Sequence, residues 1–118
     1  MIKYRQDKNN SIIAEITDKN YIVNDAQDIL NLMADVGMNN CNRIIIHENN
    51  LNKDFFDLKT RLAGEILQKF SNYKFKLAII GDFSKYKSKS LQDFIRECNR
   101  GKMILCVENI EEALLKLT

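Results

Sequence analysis

The chain has no proline, a single histidine, three cysteines and no long apolar run. Each scarcity excludes something. Without proline, the breaks between elements must be read from glycine, asparagine and capping residues. Cys41, Cys98 and Cys106 stand at spacings that match no zinc or dithiol motif, so no metal centre is expected from them. No apolar stretch approaches the length that a bilayer requires. The start, MIKYRQDK, is charged from residue 3 and lacks the apolar core of a secretory signal. Charge of one sign is also missing: 18 Lys and Arg face 16 Asp and Glu, a net +2. That balance makes no general case for nucleic acid or a membrane surface. A cytoplasmic protein is expected, with no nucleic-acid or membrane partner.

The composition is that of one globular domain. The chain has 118 residues, of which 45% are apolar and 29% charged. That length can bury a core without staples. Ile2 to Gln6 alternates, as does the run holding Ile12, Ala14 and Ile16, with DKNN between them as a turn. Tyr21 to Val23 reads as a small strand or bridge. Asn24 or Asp25 caps a helix carrying Ala26, Ile29, Leu30 and Met33, which Gly37 is expected to end.

Ile44, Ile45 and Ile46 form an unalternating β-branched run, the mark of a strand covered on both faces. From Asp54 to Phe70 the spacing of Phe55, Leu58, Leu62, Ala63, Ile66, Leu67 and Phe70 predicts one long helix. Leu77 to Gly81 is another buried strand. Leu91, Phe94, Ile95 and Cys98 share one helical face, with Gly101 placed to stop that helix, and Met103 to Val107 is the next strand. Asn109 with Glu112 makes a capping box for a last helix. Cys98 and Cys106 therefore read as core residues. The predicted class is α/β, a mixed sheet of four to five strands with an N-terminal hairpin and helices mainly on one face.

Three segments carry a resemblance: FFDLKT, KLAIIGDFS and MILCVENIEEALLKL. With the element order, they resemble the STAS domains and their SpoIIAA-like relatives. In that family an Asp-Ser pair opens a helix, and phosphorylation of the serine controls docking to other proteins. The resemblance places Asp57 at the acid and Leu58 at the serine, which leaves Thr60 as the nearest hydroxyl for phosphorylation. It implies a non-enzymatic regulatory domain with a protein partner. The longer phrases IIIHENNLNKDFFDLKT, AGEILQKF, KLAIIGDFSKYKSKSLQDFI and ENIEEALLKL resemble a bacterial family described as domain of unknown function 4180, which implies no activity.

Two stretches could carry chemistry. His47, at the end of the isoleucine run, admits three readings: a metal ligand with Glu48, Asp57 and Asp82; a general base; or a strand-end imidazole bonded to backbone or carboxylate. The loop GDFSKYKSKS, residues 81–90, offers Ser84, Ser88 and Ser90 with Lys85, Lys87 and Lys89 ahead of a helix, which suits an anion. It matches neither GxxxxGK[ST] nor GxGxxG. Its bland reading is a solvated loop with Ser88 or Ser90 as helix cap. Phe56 falls off the stripe of Phe55, Leu58 and Leu62, and an exposed phenylalanine there would mark a contact surface.

The expectation is therefore a cytosolic interaction domain. It docks a protein partner through residues 49–60, among them Asn49, Phe56, Asp57 and Thr60, and binds no metal and no cofactor. The alternative is a small-ligand or anion-binding domain, enzymatic or not, in the crevice at the strand carboxyl ends around His47, Asp82 and the Ser84–Ser90 loop; Glu48, Ser84, Lys85 and Ser88 are among the candidate binding residues.

Overall fold

A computed structural model describes residues 2–7 and 9–117. Strand β1 (Ile2–Gln6) pairs antiparallel with β2 (Ile12–Ile16), Ile2 opposite Ile16 and Gln6 opposite Ile12. The turn between them is closed by the Asp7 carboxylate, which accepts from the backbone N–H of Asn9 at 2.7 Å and of Ser11 at 2.9 Å. Asn10 takes the left-handed conformation there, at φ 64°. Lys8 of the DKNN turn lies outside the described residues. Strands β3 (Arg43–His47), β4 (Lys76–Ile80) and β5 (Ile104–Val107) add parallel to β2, and the sheet order is β1-β2-β3-β4-β5. The stretch at Tyr21 to Val23 contributes one bridge, Val23 to Leu51.

The helices are α1 (Ala26–Gly37), α2 (Leu62–Tyr73), α3 (Lys89–Gly101) and α4 (Ile110–Lys116). Right-handed crossovers that step the same way along a sheet return their helices to one face. Here Ile29 and Leu32 of α1, Ile66 and Phe70 of α2, and Cys98 of α3 all join the core over Ala14, Ile44, Leu77 and Ile104. Only α4 packs on the other face, where Ala113 and Leu117 meet Ile45, Ala78, Leu105 and Val107. The architecture is thus α/β, with a mixed five-stranded sheet, an N-terminal hairpin and helices mainly on one face. Because α4 sits on β4 and β5, the same face over β1 to β3 is left to long polar side chains. The order never reverses, so the sheet lacks the crevice of a doubly wound fold.

The helix expected from Asp54 starts only at Leu62. Residues before it form three short 3-10 turns, Glu48–Asn50, Lys53–Phe56 and Leu58–Thr60. The reason lies in two side chains. Asn52 accepts from the N–H of Asp54, and Asp57 from that of Lys59, each bond capping a new turn instead of letting the previous one run on. Arg61 then takes φ 67°, which breaks the path before α2. From Leu62 the expected stripe holds: Leu62, Ala63, Ile66 and Phe70 are buried.

The capping residues also differ in part from expectation. Asp25 caps α1, accepting from Asp28 N at 2.9 Å. Gly37 and Gly101 each end a helix in sequence, yet neither has a positive φ. Left-handed φ values belong instead to Asn40 (56°), just after α1, and to Lys102 (64°), the residue that follows α3.

Candidate functional site

At the carboxyl ends of β3 and β4, the loops are tied down by specific bonds. The N–H of His47 donates to Asn50 Oδ1 at 2.9 Å, and the Asn50 amide donates to the carbonyls of Asp18 (3.0 Å) and Tyr21 (2.8 Å). Asn50 is 2% exposed, so these bonds satisfy a buried polar group that would otherwise oppose folding. They stitch the chain after β3 to the segment before α1.

Glu48 anchors the other side. Its side chain lies over Gly81, forms an ion pair with Lys85 at 2.7 Å and accepts a hydrogen bond from the Tyr86 hydroxyl. Burial, helped by the Glu48 carboxylate, pushes the Tyr86 hydroxyl well above its ordinary pKa. The Tyr86 ring stacks on Phe56, with centroids 4.9 Å apart and planes at 14°, and Phe56 meets Phe55 edge-on at 5.0 Å. Phe83 stands 6.1 Å from Phe56. Phe56 is therefore half-buried in an aromatic cluster and is not a freely exposed contact residue.

Several candidate polar groups are occupied within their own loops. Asp82 accepts from Ser84 Oγ at 2.6 Å and from Ser84 N at 3.1 Å, and these bonds hold its carboxyl below the usual range. Ser88 caps α3, accepting from Leu91 N at 3.2 Å. Thr60 Oγ1 lies 2.6 Å from the Asp54 carbonyl and 2.8 Å from that of Asp57, and accepts from Leu62 N at 3.3 Å. Asn49 is exposed.

His47 points to the face that α4 leaves open. Its Nε2 is 3.6 Å from Glu15 Oε2, while Glu15 Oε1 accepts from Arg5 Nε at 2.7 Å. Glu15 is 8% exposed. Neither Glu15 nor Arg5 stands out by motif. The available signal was one charge inside the otherwise apolar strand IIAEI. Tyr86 was likewise missed, although it is the one aromatic within the lysine-serine run.

Two hollows flank this end of the molecule. One, of about 340 Å³, is lined by Glu15, Asp18, Lys19, His47 and Asn49. The other, shallower and about 570 Å³, lies at the start of α2, with Leu58, Phe94 and Gly64 between Arg61, Glu65 and Lys69. The larger of the two holds no histidine, cysteine or hydroxyl nucleophile, so its size does not make it the better place for chemistry.

Burial pushes the Cys98 thiol up to about 11 and that of Cys106 to about 12, the reverse of what a reactive cysteine needs. Among the described residues, no group of three His, Cys, Asp or Glu side chains is placed to hold a metal ion. None of the helices described is long and apolar enough to cross a membrane.

No curated protein and no solved structure matches the chain. A family model does, over residues 8–117, and its description is Domain of unknown function (DUF4180). That match spans nearly the whole fold, and the chain belongs to this family.

Proposed function

We propose that this is a non-enzymatic, cytosolic regulatory domain of the STAS-like type, which docks a protein partner through the 3-10 turns of residues 49–60 and the start of α2. One observation carries the reading. Gly64 sits in the first turn of α2 without a positive φ, and nothing lies within 4 Å of where its Cβ would be. Neither backbone nor packing within the chain calls for glycine there, although glycine inside a helix costs about 0.5–1 kcal/mol relative to alanine. Its bare backbone keeps the hollow open between Leu58 and Phe94, with Arg61, Glu65 and Lys69 at the rim. An apolar floor with a charged rim is the layout of a protein contact.

The bonds of the neighbouring loops support the same reading. Asn50, Asn52, Asp57 and Thr60 hold three successive turns in place, so a partner would meet a preformed surface. The alternative, an anion site on His47, Asp82 and the loop 84–90, has less behind it. Asp82 and Ser84 bond each other, Ser88 caps α3, and Lys85 pairs with Glu48.

Affinity capture from the source cell, with Gly64→Leu as control, tests the proposal. One stoichiometric partner retained by the native chain and lost from the folded variant is the expected result. Equal capture by both proteins, or no partner after crosslinking in cells, would overturn it.

A further inference from the structure

The hollow beside His47 lies at the carboxyl ends of β2 and β3. We infer that it is a binding site for a small zwitterion of the amino-acid type, with Glu15 as the anchor for the ammonium group. The inference is independent of partner docking at α2.

Glu15 is the starting point. It is nine-tenths buried, yet only one of its oxygens has a close partner, Arg5 Nε at 2.7 Å. The second oxygen stands 3.6 Å from His47 Nε2, beyond a direct hydrogen bond. A carboxylate accepts about four bonds when ionised, so Glu15, which lines the hollow, has capacity beyond these two contacts. A carboxylate lining a hollow, with capacity beyond its bonds to Arg5, favours a ligand bearing several N–H donors.

The rest of the lining sets the ligand's other end. Asp18 shares the hollow and adds a second carboxylate, with one oxygen taken by Asn20 N at 2.9 Å. Lys19 supplies an exposed cation, and Asn49 an exposed amide. Two acids and a cation with a half-exposed imidazole in one hollow match a ligand that carries both signs, and match a simple anion poorly. At about 340 Å³ the hollow is near the lower end of small-molecule sites, which suits an amino acid.

The test uses the whole chain and free amino acids as probes, followed by backbone-amide NMR and calorimetric titration. At least one amino acid is expected to shift the amides of residues 15–19 and 47–50. Its decarboxylated amine and its deaminated acid should each bind more weakly than the intact zwitterion. Glu15→Gln should weaken binding by about tenfold or more, the loss of a charge-assisted hydrogen bond. If that variant fails to fold, Lys19→Ala and His47→Ala, both at exposed positions, should each weaken binding severalfold. The inference is overturned if no amino acid shifts those amides at millimolar concentration. Affinity unchanged in the variants, or the amine binding as tightly as the amino acid, would overturn it equally.

Discussion

A Cβ placed on Gly81 would lie 2.6 Å from Glu48 Oε1 and 2.7 Å from Glu48 Cβ. The glycine is there for room, since its φ is not positive. Glu48 must pass that close to reach Lys85 and Tyr86. A displaced Cβ cannot swing aside as the end of a flexible side chain does. Gly81→Ala is therefore expected to cost about 1–3 kcal/mol through overpacking. Gly64→Ala, in open space inside α2, should instead stabilise by about 0.5–1 kcal/mol. Denaturant melts of the two variants check both signs together.

Acid should weaken the hairpin through Asp7. Partial burial works against its charge, but the N–H groups of Ser11 and Asn9 and the Arg43 guanidinium outweigh that and hold its carboxyl below the usual range. Its side chain is 2% exposed, covered by its own turn and Arg43 rather than by the deep core. A carboxylate with a depressed folded pKa contributes stability that is present above its unfolded value. That contribution is lost as pH falls through the folded one. The wild-type melting temperature should thus drop below about pH 4, and Asp7→Asn should flatten that drop while melting lower at neutral pH. Parallel slopes for the two proteins from pH 6 to pH 3 would remove Asp7 from the explanation.

Both α3 and β5 thiols should be slow to react. With Cys98 raised to about 11 and Cys106 to about 12 by burial, almost no thiolate exists at neutral pH. Alkylation of the native protein at pH 7.5 (about one unit below a free thiol) should leave both unmodified until the chain unfolds. Rapid labelling of either, read by peptide mass spectrometry, would show that the helix α3 opens locally far more easily than its packing suggests.

The sheet was legible because its signals are redundant. Ile44 to Ile46, buried on both faces, cannot be an amphipathic helix and is too short for any other buried helix. The stripe at Leu62, Ile66 and Phe70 was equally firm. Its N-terminal extension failed because the spacing of Phe55 and Leu58 suits a 3-10 turn as well as an α-helix. Periodicity does not report the Asx bonds of Asn52 and Asp57 that restart the chain.

The site was harder still. That Glu48 would turn toward Gly81 while His47 turned to Glu15 depends on strand alternation at one residue, and on partners 33 and 32 positions away in sequence. Neither pairing leaves a local motif. His47 was visible as a candidate, whereas the buried Glu15 that gives it a neighbour was not.

The last prediction concerns regulation. The proposed STAS-like reading would put Leu58 where those domains carry a phosphorylated serine, and leucine accepts no phosphate. Thr60 is the nearest hydroxyl, and it is exposed. Its oxygen, however, is engaged on both sides, near the carbonyls of Asp54 and Asp57 and under the N–H of Leu62. A phosphate there would add about −1.5 to −2 charges at neutral pH. It would set them beside two backbone carbonyls and Asp57. Lys59, Arg61 and the start of α2 would offset part of that repulsion. The closed turn of Leu58–Thr60 would still have to open to admit a kinase, and the bond from Leu62 N to Thr60 Oγ1 would be lost. Thr60 is thus expected to remain unmodified, and docking to be constitutive. Thr60→Glu should lower stability by about 0.5–1.5 kcal/mol, the range for a lost hydrogen bond. Phosphopeptide mapping of protein taken from its own cells is the deciding measurement. Substantial phosphate at Thr60 would show a switch retained at a shifted position, and the partner surface would then be a regulated one.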